Sequence, residues 1–259
     1  MRILTAVIGI PLVLALVYWG SWPFLLFVEA IMLAGAYELT AMRKDSSFSR
    51  WPLILGLAAL APAAWWGGIG GLAAVAGLTF ILMLILVIVK YPQYQLAGGM
   101  TAWVSFFYLS LFSTAYLIRA LDAEQTWFSW LLFLLITTWV CDSAAYFVGR
   151  ALGKRKLLPE VSPGKTWAGA LGGLLGCLLV ALVFTMCLGW NKVGVYFSLA
   201  CLVGIFGPLG DLGESVIKRT AGVKDSGNLI PGHGGVLDRF DALFVVFPLA
   251  YGLLKLWGY

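Results

Sequence analysis

Long uninterrupted runs of apolar residues dominate the chain. They come in blocks of about 20, the length an α-helix needs to cross roughly 30 Å of hydrocarbon. Nine blocks read as membrane spans: Leu4–Trp19, Trp22–Met42, Pro52–Trp66, Leu72–Val89, Ala102–Ile118, Phe128–Val148, Thr166–Leu188, Val193–Gly210 and Ala242–Trp257. The third is short and holds Pro62. Strand-type alternation of apolar and polar positions is absent, so helices rather than a barrel are expected. Arg2 before the first block imitates a secretion signal. No small-residue cleavage site follows it, and Gly20-Ser21-Trp22-Pro23 reads as a tight turn into another span, so the block is expected to stay as an anchor.

Composition agrees with the pattern. Of 259 residues, 61% are hydrophobic and 11% charged, against about 25% charged in soluble domains. A water-soluble domain is excluded, because too little polar surface exists to cover the apolar residues. The expected fold is an all-α integral membrane protein, a polytopic bundle of about nine transmembrane helices. No linker, low-complexity tract or repeat divides it. One transmembrane domain, 1–259, is expected, with generic amino-terminal helices over 1–127 and a catalytic half over 128–259.

Charge sets the orientation. With the amino terminus in the cytoplasm, 14 of the 17 Lys and Arg fall inside, and only Arg119, Lys192 and Lys255 fall outside. One missed span in the middle would invert every later loop and destroy that bias. The carboxyl terminus is therefore expected outside, and the formal net charge of +5 on the cytoplasmic face. Arg43, Lys44 and Arg50 are accounted for by topology and by anionic head groups. Cys141, Cys177, Cys187 and Cys201 lie in spans with no metal-type pairing and read as small packing residues.

The remaining polar residues are unevenly spread, and from Asp142 onward they gather at the cytoplasmic ends of the later spans. The densest stretch is "SVIKRTAGVKDSGNLIPGHGGVLDRFDAL", Ser215 to Leu243. Asp225, Asp238 and Asp241, with Asp211 just upstream in "GPLGDLGES", are hard oxygen donors of the kind that hold Mg²⁺ alongside substrate phosphates. Lys218, Arg219, Lys224 and Arg239 can neutralise phosphate oxygens, and glycines such as Gly234 and Gly235 let backbone N–H groups approach an anion. Carboxylates, cations and flexible backbone together describe a site for metal-bound polyphosphate. The bland reading is a solvated loop whose charges pair among themselves, but it does not need the glycines.

A second stretch, "VCDSAAYFVGRALGKRKLLPEVSPGKTWAG", places Asp142 inside an apolar run, where an ionisable residue needs a cation or metal partner. Five cations follow before Trp167. Pro163 stops any earlier helix, and Thr166 or Ser162 can cap the next. A helix amino terminus with Lys165 forms an anion pocket. "SPGKTW" is not a Walker loop, since the G-x-x-x-x-G-K-[ST] frame and its strand are missing. His233, the only histidine, has no thiolate cluster to make zinc plausible, and in a glycine-rich loop it fits a hydrogen bond to phosphate or pyrophosphate. Glu29 and Glu38 read as intramembrane functional carboxylates or, for Glu38, as a residue that reaches the interface or caps a bundle contact.

These residues carry a specific resemblance. Ser215-x-Ile217-Lys218-Arg219, four residues, Lys224-Asp225-x-Gly227, then Ile230-Pro231-x-His233-Gly234-Gly235-Val236-x-Asp238-Arg239-Phe240-Asp241 resembles the signature of the CDP-diacylglycerol synthases, the phosphatidate cytidylyltransferases, over 27 positions at fixed spacing. "CDSAAYFVGRALGK", "SPGKTW" and "GDLGES" extend it over roughly the carboxyl-terminal half. The family usually reads Ser-Pro-Lys-Lys-Thr-Trp-Glu-Gly where this chain has Gly164 and Ala168 at one lysine and the glutamate.

The resemblance implies an enzyme that condenses CTP with phosphatidic acid to CDP-diacylglycerol and pyrophosphate. It implies Asp211 and Asp238 as leading metal ligands, with Asp142, Asp225 and Asp241 as further candidates, Mg²⁺ as the divalent ion and a second cation such as K⁺. Lys218, Arg219, Lys224 and Arg239 would grip phosphates; Ser162, Lys165, Thr166, Ser215, Gly234 and Gly235 would complete the substrate site; His233 would orient pyrophosphate. A homodimer in a bacterial inner (plasma) membrane is implied, with the lipid bilayer, CTP and phosphatidic acid as partners and no nucleic acid. Rival readings are a CTP-using polyprenol or phytol kinase, a transporter or channel using Asp142 and Glu29, and a non-catalytic relative suggested by Gly164 and Ala168. A CDP-alcohol phosphotransferase lacks support, because its two-turn aspartate pattern is missing.

Overall fold

In a computed structural model, residues 2–42, 49–122, 129–230 and 234–259 are described. They form ten α-helices: α1 (Arg2–Trp19), α2 (Ser21–Met42), α3 (Trp51–Ala58), α4 (Leu60–Val89), α5 (Leu96–Ser110), α6 (Thr114–Ala120), α7 (Trp130–Leu152), α8 (Trp167–Leu188), α9 (Val193–Ala221) and α10 (Leu237–Leu256). Between α7 and α8 lies an antiparallel hairpin of β1 (Lys156–Leu158) and β2 (Ser162–Thr166).

Among the described residues, six helical segments are long and apolar enough to cross a membrane: Ser21–Met42, Leu60–Val89, Leu96–Ala120, Trp130–Leu152, Trp167–Leu188 and Trp190–Ala221. Val7–Trp19 is a shorter apolar helix. Large apolar side chains such as Leu26, Trp66, Leu78, Ile88, Leu175 and Met186 are exposed on them, as lipid-facing residues are. The chain is a multi-pass, all-α membrane protein.

Helices correspond to the expected blocks, but Leu4–Trp19, Pro52–Trp66 and Ala242–Trp257 are not among those six segments, so six of the nine expected spans are supported. Pro52–Trp66 is split between α3 and the start of α4, and α4 continues through Leu72–Val89. Gly68 interrupts α4 with φ 54° and ψ −137°, a left-handed backbone that only glycine adopts at little cost. The expected gap between Trp66 and Leu72 is thus a glycine break. The expected turn after α1 is also present: Gly20 and Ser21 both have positive φ. Arg119 lies against it, donating from Nε to the Val17 carbonyl at 2.9 Å, where α1 leaves carbonyls without intrahelical partners.

The chain packs as two compact units, Met1–Ala120 with Ala221–Arg239, and Leu121–Thr220 with Phe240–Tyr259. In the first, Leu53, Leu57, Leu60, Phe106, Leu109 and Leu237 are fully buried. At Gly35 a Cβ would stand 2.7 Å from Leu109 and 3.0 Å from Leu237, so α2, α5 and the start of α10 meet at a glycine. In the second, α7 and α8 pack through small residues. A Cβ on Gly172 would meet Val148 at 2.6 Å, and one on Gly169 the Ala145 carbonyl at 2.7 Å. Close backbone approach of this kind holds helices together where lipid removes the hydrophobic drive between them. Phe133, Phe184, Tyr196 and Trp130 form an aromatic cluster in the same unit.

Candidate active site

In the second unit the hairpin delivers Lys165 and Thr166 to the start of α8. Thr166 is extended, and its Oγ1 accepts from the Gly169 N–H at 3.1 Å, the expected cap. Opposite, α9 carries Asp211, Glu214, Ser215 and Lys218 at spacings of three and four, so they share one helix face. Lys165 Nζ reaches that face, 2.7 Å from Asp211 Oδ2 and 3.0 Å from the Pro208 carbonyl. Ser215 Oγ donates to Asp211 Oδ1 at 3.4 Å. Lys218 pairs with Glu214 at 2.5 Å, both buried. Arg219 is exposed, and its Nε donates to the Val161 carbonyl at 3.4 Å.

The backbone explains why Asp241 joins this group. A Cβ on Gly210 would lie 2.9 Å from the Ala242 Cα and from the Asp241 carbonyl oxygen, so only glycine lets α9 pass this close to α10. Asp241 stands just ahead of the last expected span. Burial first, then the neighbouring charge of Asp211, with lesser pushes from Glu214 and Asp142, holds its carboxyl well above the usual carboxylate range; a hydrogen bond from the Ala242 N–H opposes them. Carboxylates held against their own repulsion stabilise a bound cation. Among the described residues no three His, Cys, Asp or Glu side chains form a ready coordination sphere. Mg²⁺ does not require one, since it is commonly held by one or two carboxylates plus substrate phosphates. Asp211, with Asp142 or Asp241 near enough to interact with its charge, fits that role.

In the first unit residues 221–230 and 234–239 gather around two carboxylates. Asp238 Oδ2 accepts from Ser226 N–H at 3.0 Å, Ser226 Oγ at 3.0 Å and Gly235 N–H at 2.8 Å. Glu38, 1% exposed on α2, accepts from Val236 N–H at 2.8 Å and Leu237 N–H at 3.0 Å, and its Oε2 lies 2.9 Å from Ser226 Oγ, whose single proton it shares with Asp238. The glycines follow from these contacts. A Cβ on Gly227 would stand 2.8 Å from Glu38 Oε1, and one on Gly235 would fall on Ser226 Oγ and 2.5 Å from Glu38 Oε2. Gly234 has φ 84°, and its carbonyl accepts from the Ile230 N–H at 3.0 Å.

Lys165, Asp211 and Ser215 are thus in contact, with Asp142 and Asp241 close enough to be felt electrostatically. Gly234, Gly235 and Asp238 shape the loop, while Lys224, Asp225 and Arg239 are exposed on it. Ser162 lies partly exposed in β2. His233 falls outside the described residues. Two participants escaped the sequence reading. Glu214 was readable from its i, i+4 spacing to Lys218 in "ESVIK". Ser226 carries no sequence signal, because its role depends on two carboxylates brought to it by folding.

The family model described as cytidylyltransferase family matches residues 1–257. A phosphatidate cytidylyltransferase of Bacillus subtilis is 36% identical over 99% of this chain and 98% of its own length. One from Brucella suis is 40% identical over 96% and 91%. One from Haemophilus influenzae is 49% identical over 46% of this chain and 43% of its own.

Proposed function

The chain belongs to the cytidylyltransferase family and is a nucleotidyltransferase, and on that premise we propose that it is a phosphatidate cytidylyltransferase working at the cytoplasmic membrane face. A phosphate oxygen of phosphatidic acid attacks the α-phosphorus of CTP; the O–Pα bond forms, the bond from Pα to the bridging oxygen breaks, and pyrophosphate leaves. No covalent enzyme intermediate is needed. Both reactants are anions, so the work is to hold them together and to stabilise charge as it moves to the leaving group.

The observation that carries this reading is the Lys165–Asp211 ion pair at 2.7 Å, which joins the two sequence constellations. Lys165 can turn its ammonium to a phosphate oxygen when an ion takes over Asp211. Asp211, with Asp142 or Asp241, would hold Mg²⁺ beside the substrate phosphates, with Asp225 and Asp238 as further carboxylates of the signature loop and a second cation such as K⁺. When bound, the divalent ion neutralises charge on the phosphates. Lys218, Arg219, Lys224 and Arg239 add positive charge for the triphosphate and the lipid phosphate. Ser162, Thr166, Ser215, Gly234 and Gly235 shape the substrate-binding backbone, and His233 meets pyrophosphate. A homodimer in the bacterial inner membrane completes the proposal.

The test is conversion of phosphatidic acid to CDP-diacylglycerol by purified protein with CTP, with and without Mg²⁺, for wild type and Asp211→Ala. A loss of roughly two orders of magnitude in kcat is expected, the scale of removing a principal electrostatic stabiliser. Full activity of the variant, or of metal-free wild type, would overturn the assignment.

A further inference from the structure

Glu38 is a buried carboxylate that the proposed chemistry leaves unused. It comes from α2, 188 residues away in sequence from its partner Ser226. Among the described residues its hydrogen-bond partners are the N–H groups of Val236 and Leu237 and the Ser226 hydroxyl, whose proton it shares with Asp238. Leu237 is the first residue of α10 and Val236 directly precedes it, where unsatisfied N–H groups and the helix dipole favour a negative charge. The described residues it holds, 224–230 and 234–238, include Gly227, Gly234 and Gly235, and glycine loses more backbone freedom on ordering than other residues do. Ser226 Oγ lies within hydrogen-bond distance of Glu38 Oε2 and of Asp238 Oδ2, so one hydroxyl ties the α2 carboxylate to the Asp238 carboxylate. Gly227 and Gly235 are the positions that leave room for the Glu38 head group.

We propose that Glu38 is a positioning residue for nucleotidyl transfer, its carboxylate fixing the loop that presents Lys224, Asp225 and Asp238. It touches no substrate and acts through Ser226, Val236 and Leu237. A carboxylate is specifically required, because glutamine would turn one acceptor oxygen into an NH₂ group facing other donors. The inference rests on the proposed function for its kinetic arm only.

The experiment compares wild type, Glu38→Gln and Glu38→Ala in detergent or nanodiscs by initial-rate kinetics, thermal melting and limited trypsin cleavage at Lys224. Glu38→Gln keeps the side-chain volume, so it should melt within about 3 °C of wild type, roughly the shift that 1 kcal/mol gives a chain of this size. Its kcat should nevertheless fall about 10-fold, with the KM for phosphatidic acid unchanged within about twofold. Glu38→Ala should lose about 100-fold, the scale of an ångström-level misplacement of reacting groups, and should be cut at Lys224 several times faster. Variants that turn over within twofold of wild type, or losses matched in full by lost folded protein, would overturn the proposal. So would unchanged cleavage at Lys224. If wild type transfers no CMP to lipid, it is the functional reading that fails, and cleavage at Lys224 alone then decides whether Glu38 holds the loop.

Discussion

At the scale of single residues, Asp241 shows what the site costs the fold. Its raised proton affinity means that the folded state binds that proton more tightly than the unfolded chain does. Stability from this group is therefore fully present below the ordinary carboxylate range and is lost as pH rises through the raised value. Asp241→Asn should melt higher than wild type near pH 8 without metal, should differ less near pH 5, and should be nearly inactive. Thermal melts at the two pH values, paired with rate measurements, check all three. Gly164 offers a test of opposite sign. A Cβ there meets nothing within 4 Å, so Gly164→Lys restores the residue that the resembled signature carries without displacing a neighbour. A lower KM for CTP, shrinking as salt is added, is expected from the added cation. Asp211, Asp238 and Lys165 could be singled out from sequence because hard ligands and cations at fixed spacing announce their chemistry. The part Ser226 plays could not, since a serine among glycines has no signal until two distant carboxylates converge on it.

At the scale of elements, the apolar blocks made the helices legible, because a span has no water with which to satisfy an open backbone. What escaped was short or irregular. The β1–β2 hairpin has strands of three and five residues, one holding Pro163 and Gly164, too brief to alternate visibly. Hydropathy separates two blocks around Gly68, but does not reveal that a single helix, α4, runs on both sides of that glycine. The tightest element contact yields a prediction. Gly172→Val would drive methyl groups into Val148, and overpacking of this kind costs on the order of 1–3 kcal/mol. The variant should melt several degrees lower than wild type. Gly252→Ala, where a Cβ meets nothing within 4 Å, should not shift. Thermal melting of both, monitored by tryptophan fluorescence, settles the comparison.

At the scale of the whole molecule, the sequence separates apolar from polar regions, and the distribution of Lys and Arg predicts an orientation that labelling tests. A cysteine at Glu160, in the hairpin turn, should be shielded from a membrane-impermeant maleimide in intact cells. A cysteine at Asn191 should be labelled, in a background without the four native cysteines. The opposite pattern would put the charged loops on the wrong side for CTP. Folding also gives the amino-terminal helices a task that hydropathy concealed: through Glu38 they pack with the stretch 221–239 in one compact unit. The central claim is that a nucleotidyl group, not a terminal phosphoryl group, passes to the lipid. Its most direct test incubates the purified protein with phosphatidic acid and CTP labelled at either the α- or the γ-phosphorus. The account predicts α-label in the lipid extract and γ-label in pyrophosphate; γ-label in the lipid with none from the α position would contradict it.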